Sequence, residues 1–109
     1  MAIKANIIID QGSTFSTTLN LDDENGDPLS LSGYSCESQM RKHYTSSNAT
    51  SFSTSINATA GTIELSLTAD QTANIVAGRY VYDVELTDSS NVISRILEGI
   101  VTVTPNVTR

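Results

Sequence analysis

Regular alternation of polar and apolar side chains is the feature of this sequence that most constrains the fold. In residues 15–21 the alternate positions are Phe, Thr, Leu and Leu, and the positions between them are Ser, Thr and Asn. The same period of two recurs in residues 50–56, 62–67 and 79–87. This period places successive side chains on opposite faces of a β-strand. We therefore predict half-buried strands, each with one face against a hydrophobic core.

Two further apolar segments extend the pattern. Residues 34–42 form a predicted strand in which Cys36 and Met40 are in phase. Residues 92–103 contain two interleaved apolar sets, and Gly99 lies between them. A β-bulge at Gly99 would switch the inward face of this last strand.

Turn-forming residues separate the strands at short intervals. Residues 22–28 form an acidic turn cluster with Asn25 and Gly26 at its centre, and Asn-Gly is the strongest short hairpin signal. Residues 88–91 form a second polar turn. About seven strands with turns every 8–12 residues are typical of a sandwich. We therefore predict one all-β domain over residues 1–109, an immunoglobulin-like antiparallel β-sandwich.

One segment departs from the β pattern. Residues 69–75 follow a threonine that is suited to cap a helix, and they carry an aspartate in the first turn, which predicts a single helical turn. Gly78 and Tyr80 come next, at the start of a strand. This order matches the tyrosine corner of Greek-key sandwiches, in which the tyrosine hydroxyl bonds to backbone a few residues upstream. A structural role is therefore predicted for Gly78 and Tyr80.

The composition excludes several classes of function. A formal net charge of -6 and a pI near 4.4 argue against binding to nucleic acid or to an anionic membrane surface. The one cysteine cannot form an intramolecular disulfide. No apolar run approaches the roughly 20 residues of a transmembrane helix, and residues 1–10 do not have the pattern of a signal peptide.

Candidates for catalysis are few. His43 follows Arg41 and Lys42 beside a polar loop and is expected to be exposed. Cys36 alternates in phase with the core positions and is expected to be a small buried side chain. A Cys36–His43 nucleophile pair is the enzymatic alternative, but a thiol inside a strand lacks the setting that lowers a cysteine pKa. We expect a protein that is not an enzyme and has no cofactor.

The acidic turn has two interpretations. The carboxylates of Asp22, Glu24 and Asp27 would supply oxygen ligands for a weak calcium site. The alternative is a solvated hairpin tip, which we favour because the spacing is not that of an EF-hand loop.

Short motifs along nearly the whole chain resemble a phage family. They are residues 10–15 (DQGSTF), 27–34 (DPLSLSGY), 40–42 (MRK), 63–68 (IELSLT), 77–86 (AGRYVYDVEL) and 95–105 (RILEGIVTVTP). These motifs look like those of the immunoglobulin-like virion proteins of cyanophage-type myoviruses and of the N-terminal domain of phage baseplate upper proteins.

The resemblance implies a non-catalytic structural protein of a tailed phage virion, made in the host cytoplasm. It would dock to other virion proteins of the tail, baseplate or neck in several symmetric copies, without nucleic acid or membrane. Capsid decoration and a host-surface or glycan-binding module are the alternatives. Tyr44, in the polar loop 43–49, is the aromatic residue available for stacking on a sugar.

Strand addition at a sheet edge is the expected mode of docking. The candidate edges are residues 3–9, with the apolar run Ile7, Ile8 and Ile9, and residues 100–103. Because that run is apolar on both faces, we expect something to cover it. Deleting residues 1–9 is then expected to abolish assembly and to leave the rest of the sandwich folded.

Overall fold

Two β-sheets face each other across a hydrophobic core. The computed structural model describes residues 3–22 and 25–107. Within these residues lie nine strand segments and one short helix, α1 (Ala69–Ala73). The strands are β1 (Ile3–Lys4), β2 (Ile7–Asp10), β3 (Phe15–Asn20), β4 (Ser35–Arg41), β5 (Thr50–Ser51), β6 (Ser53–Asn57), β7 (Thr62–Leu67), β8 (Gly78–Thr87) and β9 (Ile93–Thr104).

The strand order is that of an immunoglobulin-like sandwich. One sheet has six strands in the order β1-β9-β8-β4-β5, with β2 also on β9, and the other has the order β3-β7-β6. The three-stranded sheet thus matches the B-E-D order of that fold, and β9-β8-β4 matches G-F-C. All pairs are antiparallel except those of β1 and β2, which run parallel to β9. The predicted all-β sandwich is confirmed.

The core is formed by the alternate residues that the sequence pattern selects. Glu64 is exposed on β7, whereas its neighbours on either side are buried, and β8 alternates in the same way. Each buried leucine or valine contributes about 1.5–3 kcal/mol relative to an exposed one. The fully buried apolar side chains come from both sheets and the loop before β4: Ile9, Leu31, Met40, Ile63, Leu65, Leu67, Val84, Val101 and Val103.

Residues 50–56 are two strands, not the single strand that the alternation predicts. β5 pairs with β4 in the six-stranded sheet, and β6 pairs with β7 in the other. The chain changes sheets at Phe52, whose side chain is buried between the aromatic rings of Phe15 and Tyr82. The amide of Phe52 donates to the carbonyl of Ser38 at 2.9 Å. A buried residue at the crossing keeps the period of two intact, so the sequence does not reveal the break.

The bulge in β9 lies at Ile96, and the prediction of a bulge at Gly99 is wrong. Val84 pairs with Leu97 and Glu85 with Arg95, so Ile96 is the extra residue. Gly99 pairs regularly with Tyr82. A Cβ at Gly99 would meet the carbonyl of Ala5. The glycine therefore serves the close approach of the N-terminal segment.

The Asn-Gly turn closes a loop and not a regular hairpin. Gly26 has φ +82°, a conformation that favours glycine. The arms meet at one isolated bridge, between Asp22 and Pro28. After this loop the chain crosses to the other sheet, where β4 begins.

The short helix and the tyrosine corner form as predicted. Thr68 caps α1 and makes a reciprocal capping box with Gln71, at 2.8 Å and 3.2 Å. The hydroxyl of Tyr80 donates to the carbonyl of Val76 at 2.6 Å. Gly78 has φ +145°, a backbone conformation that L side chains rarely adopt.

Candidate interaction face

The outer face of the six-stranded sheet carries most of the basic residues. Four of the six lysines and arginines lie on its strands: Lys4 on β1, Arg41 on β4, Arg79 on β8 and Arg95 on β9. Five carboxylates share this face: Asp10, Glu37, Asp83, Glu85 and Glu98. Its four positive and five negative charges leave a net charge of -1, so most of the net charge of -6 lies elsewhere on the chain.

The outer face of the three-stranded sheet is very different. Its outward positions are exposed or half-buried serine, threonine and asparagine side chains, with one charged residue, Glu64. Short hydroxyl and amide side chains are ordinary solvent-facing residues of a strand. The two faces of the sandwich therefore differ in chemistry, and only one of them has the mixture of apolar and charged groups that is typical of a protein interface.

Exposed apolar side chains on the six-stranded face extend from β9 to the edge strand β2. Ile100 on β9 is 40% exposed, and it pairs with Val81 on β8. Ile8 on β2 is 68% exposed and lies diagonally from Ile100, because it pairs with Thr102. A cluster of this kind with charged residues around it marks an interaction site more often than scattered exposed residues do.

The charges of this face are unevenly matched. Arg95 makes ion pairs with Asp83 and Glu98, both at 3.3 Å. Glu37 and Glu85, in contrast, lie directly opposite each other on β4 and β8. Like charges at such positions destabilise a sheet.

Neither of those two glutamates makes an ion pair within residues 3–22 and 25–107, and the same holds for Arg79. Arg95 lies opposite Glu85 on β9, but its ion pairs are with Asp83 and Glu98. We call Glu37, Glu85 and Arg79 unmatched because they make no ion pair in the described residues, and each could form one with a partner.

A loop with an exposed tyrosine borders the same face. Arg41 holds the loop between β4 and β5, because its guanidinium donates to the carbonyl of Ser46 at 2.6 Å and to Gln39 at 3.0 Å. The amide of His43 donates to the hydroxyl of Ser46 at 3.0 Å. Tyr44 projects from this loop and is 79% exposed. It borders a groove of about 270 Å³ whose floor is polar and charged.

Only one of the two predicted docking edges lies at an edge of the sheet. β2 lies at the edge of the six-stranded sheet, so Ile7, Ile8 and Ile9 do occupy an edge strand. Residues 100–103 do not, since β9 is paired with β8 on one side, and on the other side β2 pairs with residues 101–103 and the side chain of Asn6 accepts from the amide of Ile100.

The apolar run of β2 is covered in part by the protein itself. Ile9 is fully buried in the core and Ile7 is half-buried, whereas Ile8 faces outward. Residues 3–9 are therefore part of the sandwich, and deletion of residues 1–9 removes a core side chain. In place of an intact remaining sandwich, we now expect this deletion to destabilise the fold.

The thiol and the imidazole are far apart. His43 is exposed in the loop after β4, and Cys36 is half-buried near the other end of that strand. Seven residues of strand separate them by roughly 20 Å. Burial, and then the charge of Glu37, raise the pKa of Cys36 from 9.0 to about 11. The thiol is therefore protonated at neutral pH and is a poor nucleophile.

The remaining sequence hypotheses concern metals and membranes. In the ranges 3–22 and 25–107, no three His, Cys, Asp or Glu side chains are grouped so that they could hold a metal ion. Glu24, one of the calcium candidates, lies outside the described residues. No helix in the described part of the chain has the length and apolarity needed to cross a bilayer.

From the sequence we predicted the apolar run Ile7, Ile8 and Ile9 as a docking edge. We did not predict the outer face of the six-stranded sheet as an interaction face. A signal was available, because the alternation of residues 79–87 already places Arg79, Val81, Asp83 and Glu85 on one side of a strand.

The chain matches no family model, and no curated protein has significant similarity to it.

Proposed function

We propose that this chain is a non-catalytic structural protein of a tailed phage virion. It docks to other subunits of the tail, baseplate or neck through the outer face of its six-stranded sheet, in several symmetric copies. Neither nucleic acid nor membrane takes part in this docking.

One observation supports the choice of this face as the docking surface. The apolar residues Val81 and Ile100 lie among nine charged side chains on one sheet, and the other sheet presents short polar side chains with a single charge. Apolar surface among charges of both signs is what a partner surface would desolvate. The phage assignment is supported by the resemblance of the strand and turn motifs.

Particle composition tests the proposal. Mass spectrometry of purified virions is expected to find the chain in a fixed ratio to other tail proteins, and labelled antibody would show whether it decorates the capsid instead. Variant Arg79→Glu is expected to be depleted from particles, whereas Glu64→Arg, on the other sheet, is expected to be incorporated normally. Absence of the chain from particles, or equal incorporation of both variants, would contradict the proposal.

A host-surface or glycan-binding module is the second candidate. It is favoured by one observation, namely that Tyr44 borders a groove with Gln39, Arg41 and Asp83 in its lining. An aromatic ring beside amide, guanidinium and carboxylate groups is a suitable surface for a sugar ring and its hydroxyls. A glycan array with the protein and with variant Tyr44→Ala tests this candidate. Binding that is lost in the variant would support it, and an array without hits would eliminate it.

A further inference from the structure

We infer that the partner on this face is a second copy of the same chain, related by a two-fold axis that runs across the strands. The inference rests on the proposed function, because it names the occupant of the docking face. The observations that carry it are the positions of the unmatched charges.

The unmatched cation and the unmatched carboxylates lie at opposite ends of the same strands. Arg79 is near the start of β8 and Glu85 is six residues further along, a separation of about 20 Å. β4 is antiparallel to β8, so its basic and acidic residues come in the opposite sequence order and lie at the same ends: Arg41 pairs with Val81, and Glu37 pairs with Glu85. The half with Arg41 and Arg79 also holds Asp10 and has a net charge of +1. The half with Glu37 and Glu85 also holds Asp83, Glu98, Lys4 and Arg95 and has a net charge of -2, so the face has a basic half and an acidic half.

A face with this layout is complementary to its own copy. A two-fold axis across the strands leaves each strand over its counterpart and reverses its direction. The Arg79 end of one copy then covers the Glu85 end of the other, and the same contact occurs twice. Symmetric contacts of this kind are the usual form of a homodimer interface.

The apolar residues lie beside the axis. With Arg79 over Glu85, the axis passes at the level of Tyr82, midway between them. Val81 and Ile100 form a cross-strand pair one residue from that level, so in the dimer they lie near the centre and face the level of Asp83 and Glu98 of the other copy. A cation from the partner would also relieve the repulsion between Glu37 and Glu85.

The size of the face predicts a weak dimer. Strand and residue spacings give it roughly 25 Å by 20 Å, or about 500 Å² for each copy. This is below the roughly 800 Å² for each partner that a stable interface buries. We therefore expect association only at high local concentration, as in an assembly with several copies.

Two charge-reversal variants test the inference. Sedimentation equilibrium of the full chain from about 10 μM to about 1 mM is expected to show a monomer–dimer equilibrium that weakens as salt is added. Variants Arg79→Glu and Glu85→Arg are each expected to reduce self-association at least about tenfold. An equimolar mixture of the two variants is expected to regain it, because both contacts then join a glutamate to an arginine.

The controls separate this idea from misfolding and from net charge. Regained association in the mixture can come only from folded chains, and circular dichroism checks each variant alone. Glu64→Arg changes the net charge as Glu85→Arg does and is expected to leave association unchanged.

Two results would overturn the inference. One is a wild-type chain that stays monomeric throughout the concentration range, and the other is a mixture that associates no better than its components. If the wild type stays monomeric and Arg79→Glu is nevertheless depleted from virions, the face binds a different subunit and the proposed function stands. If the chain dimerises in solution but is absent from virions, the inference of self-association stands and the proposed function is refuted.

Discussion

The hydroxyl of Tyr82 donates a hydrogen bond to the carbonyl of Ala5 at 2.6 Å, and this contact joins residues 77 positions apart. It lies where β1 ends and before β2 begins, next to Gly99 on the inner face. There the backbone leaves the ladder, and the side chain of Asn6 accepts the amide proton of Ile100 at 3.1 Å. The side chains of Tyr82 and Asn6 thus anchor the N-terminal segment at the break between β1 and β2.

Removal of this hydroxyl is expected to loosen the N-terminal segment. Variant Tyr82→Phe keeps the ring contact with Phe52 but leaves the carbonyl of Ala5 without this donor. We expect a loss of about 1–2 kcal/mol in the free energy of unfolding, measured by urea denaturation. Hydrogen exchange at residues 3–10 should become faster than in the wild type, and unchanged protection there would contradict the anchoring role.

Variant Gly99→Ala tests the close approach of the Ala5 carbonyl to β9 by a change on β9. The added methyl group would meet the carbonyl of Ala5, so the segment must shift, at a cost of about 1–3 kcal/mol. For comparison, Gly26→Ala has open space around the new methyl group and bears only the cost of a positive φ, about 1 kcal/mol. Thermal unfolding of both variants gives the comparison. Equal melting temperatures for Gly99→Ala and the wild type would refute the steric argument.

Variant Tyr80→Phe tests the tyrosine corner. The phenylalanine ring can still occupy the half-buried position near the ammonium group of Lys42. The carbonyl of Val76 loses its donor, and we expect a loss of about 1 kcal/mol by equilibrium unfolding. No loss of stability would contradict a structural role for this hydroxyl.

Thr72 connects the helix to the turn after β2. Its side chain is fully buried; the hydroxyl accepts from the amide of Gly12 at 3.0 Å and donates to the carbonyl of Ser13 at 2.8 Å. Variant Thr72→Val retains the shape and leaves both groups without this partner, so we expect a loss of about 2 kcal/mol. Thr72→Ser keeps the hydroxyl and is the matched control. If the serine variant proves the less stable of the two in urea, the methyl group and not the hydroxyl is the important part.

The protein is expected to lose stability at alkaline pH. Burial, and then Glu37, raise the pKa of Cys36 from 9.0 to about 11, and burial also raises the pKa of Tyr80 and of Tyr82 above 10.0. A raised folded-state pKa means that the unfolded chain releases its proton first. The stabilisation is therefore complete below pH 9 and is lost as the pH rises towards 11.

Variant Cys36→Ala isolates the thiol in this titration. The free energy of unfolding, measured by urea at intervals from pH 8 to pH 11, should decline less steeply above pH 9 in the variant than in the wild type. Parallel curves would show that the cysteine does not contribute.

Most of the fold could be predicted from local sequence patterns. The features that could not be predicted depend on contacts between residues that are far apart in the chain. The period of two placed Leu65 and Val84 correctly in the core, and the order Gly78-Arg79-Tyr80 identified the corner. The change of sheets at Phe52 left no mark in the pattern, since that residue is buried whichever sheet its neighbours join.

The candidate face was less accessible from the sequence. The run Ile7, Ile8 and Ile9 is prominent because it is contiguous, yet one of its members fills the core. The unmatched pair Glu37 and Glu85 becomes visible only when the register of β4 and β8 is known, since the two residues are far apart in the chain.

The parallel pairing of β2 with β9 also fixes the polarity of the molecule. Ile3 lies beside Leu97, and Thr104 lies beside Asp10 at the opposite pole of the sheet. A label fused ahead of Ile3 and another fused beyond Thr104 would therefore point in opposite directions. In an image of an assembled particle, the two labels together would reveal which way each copy is oriented.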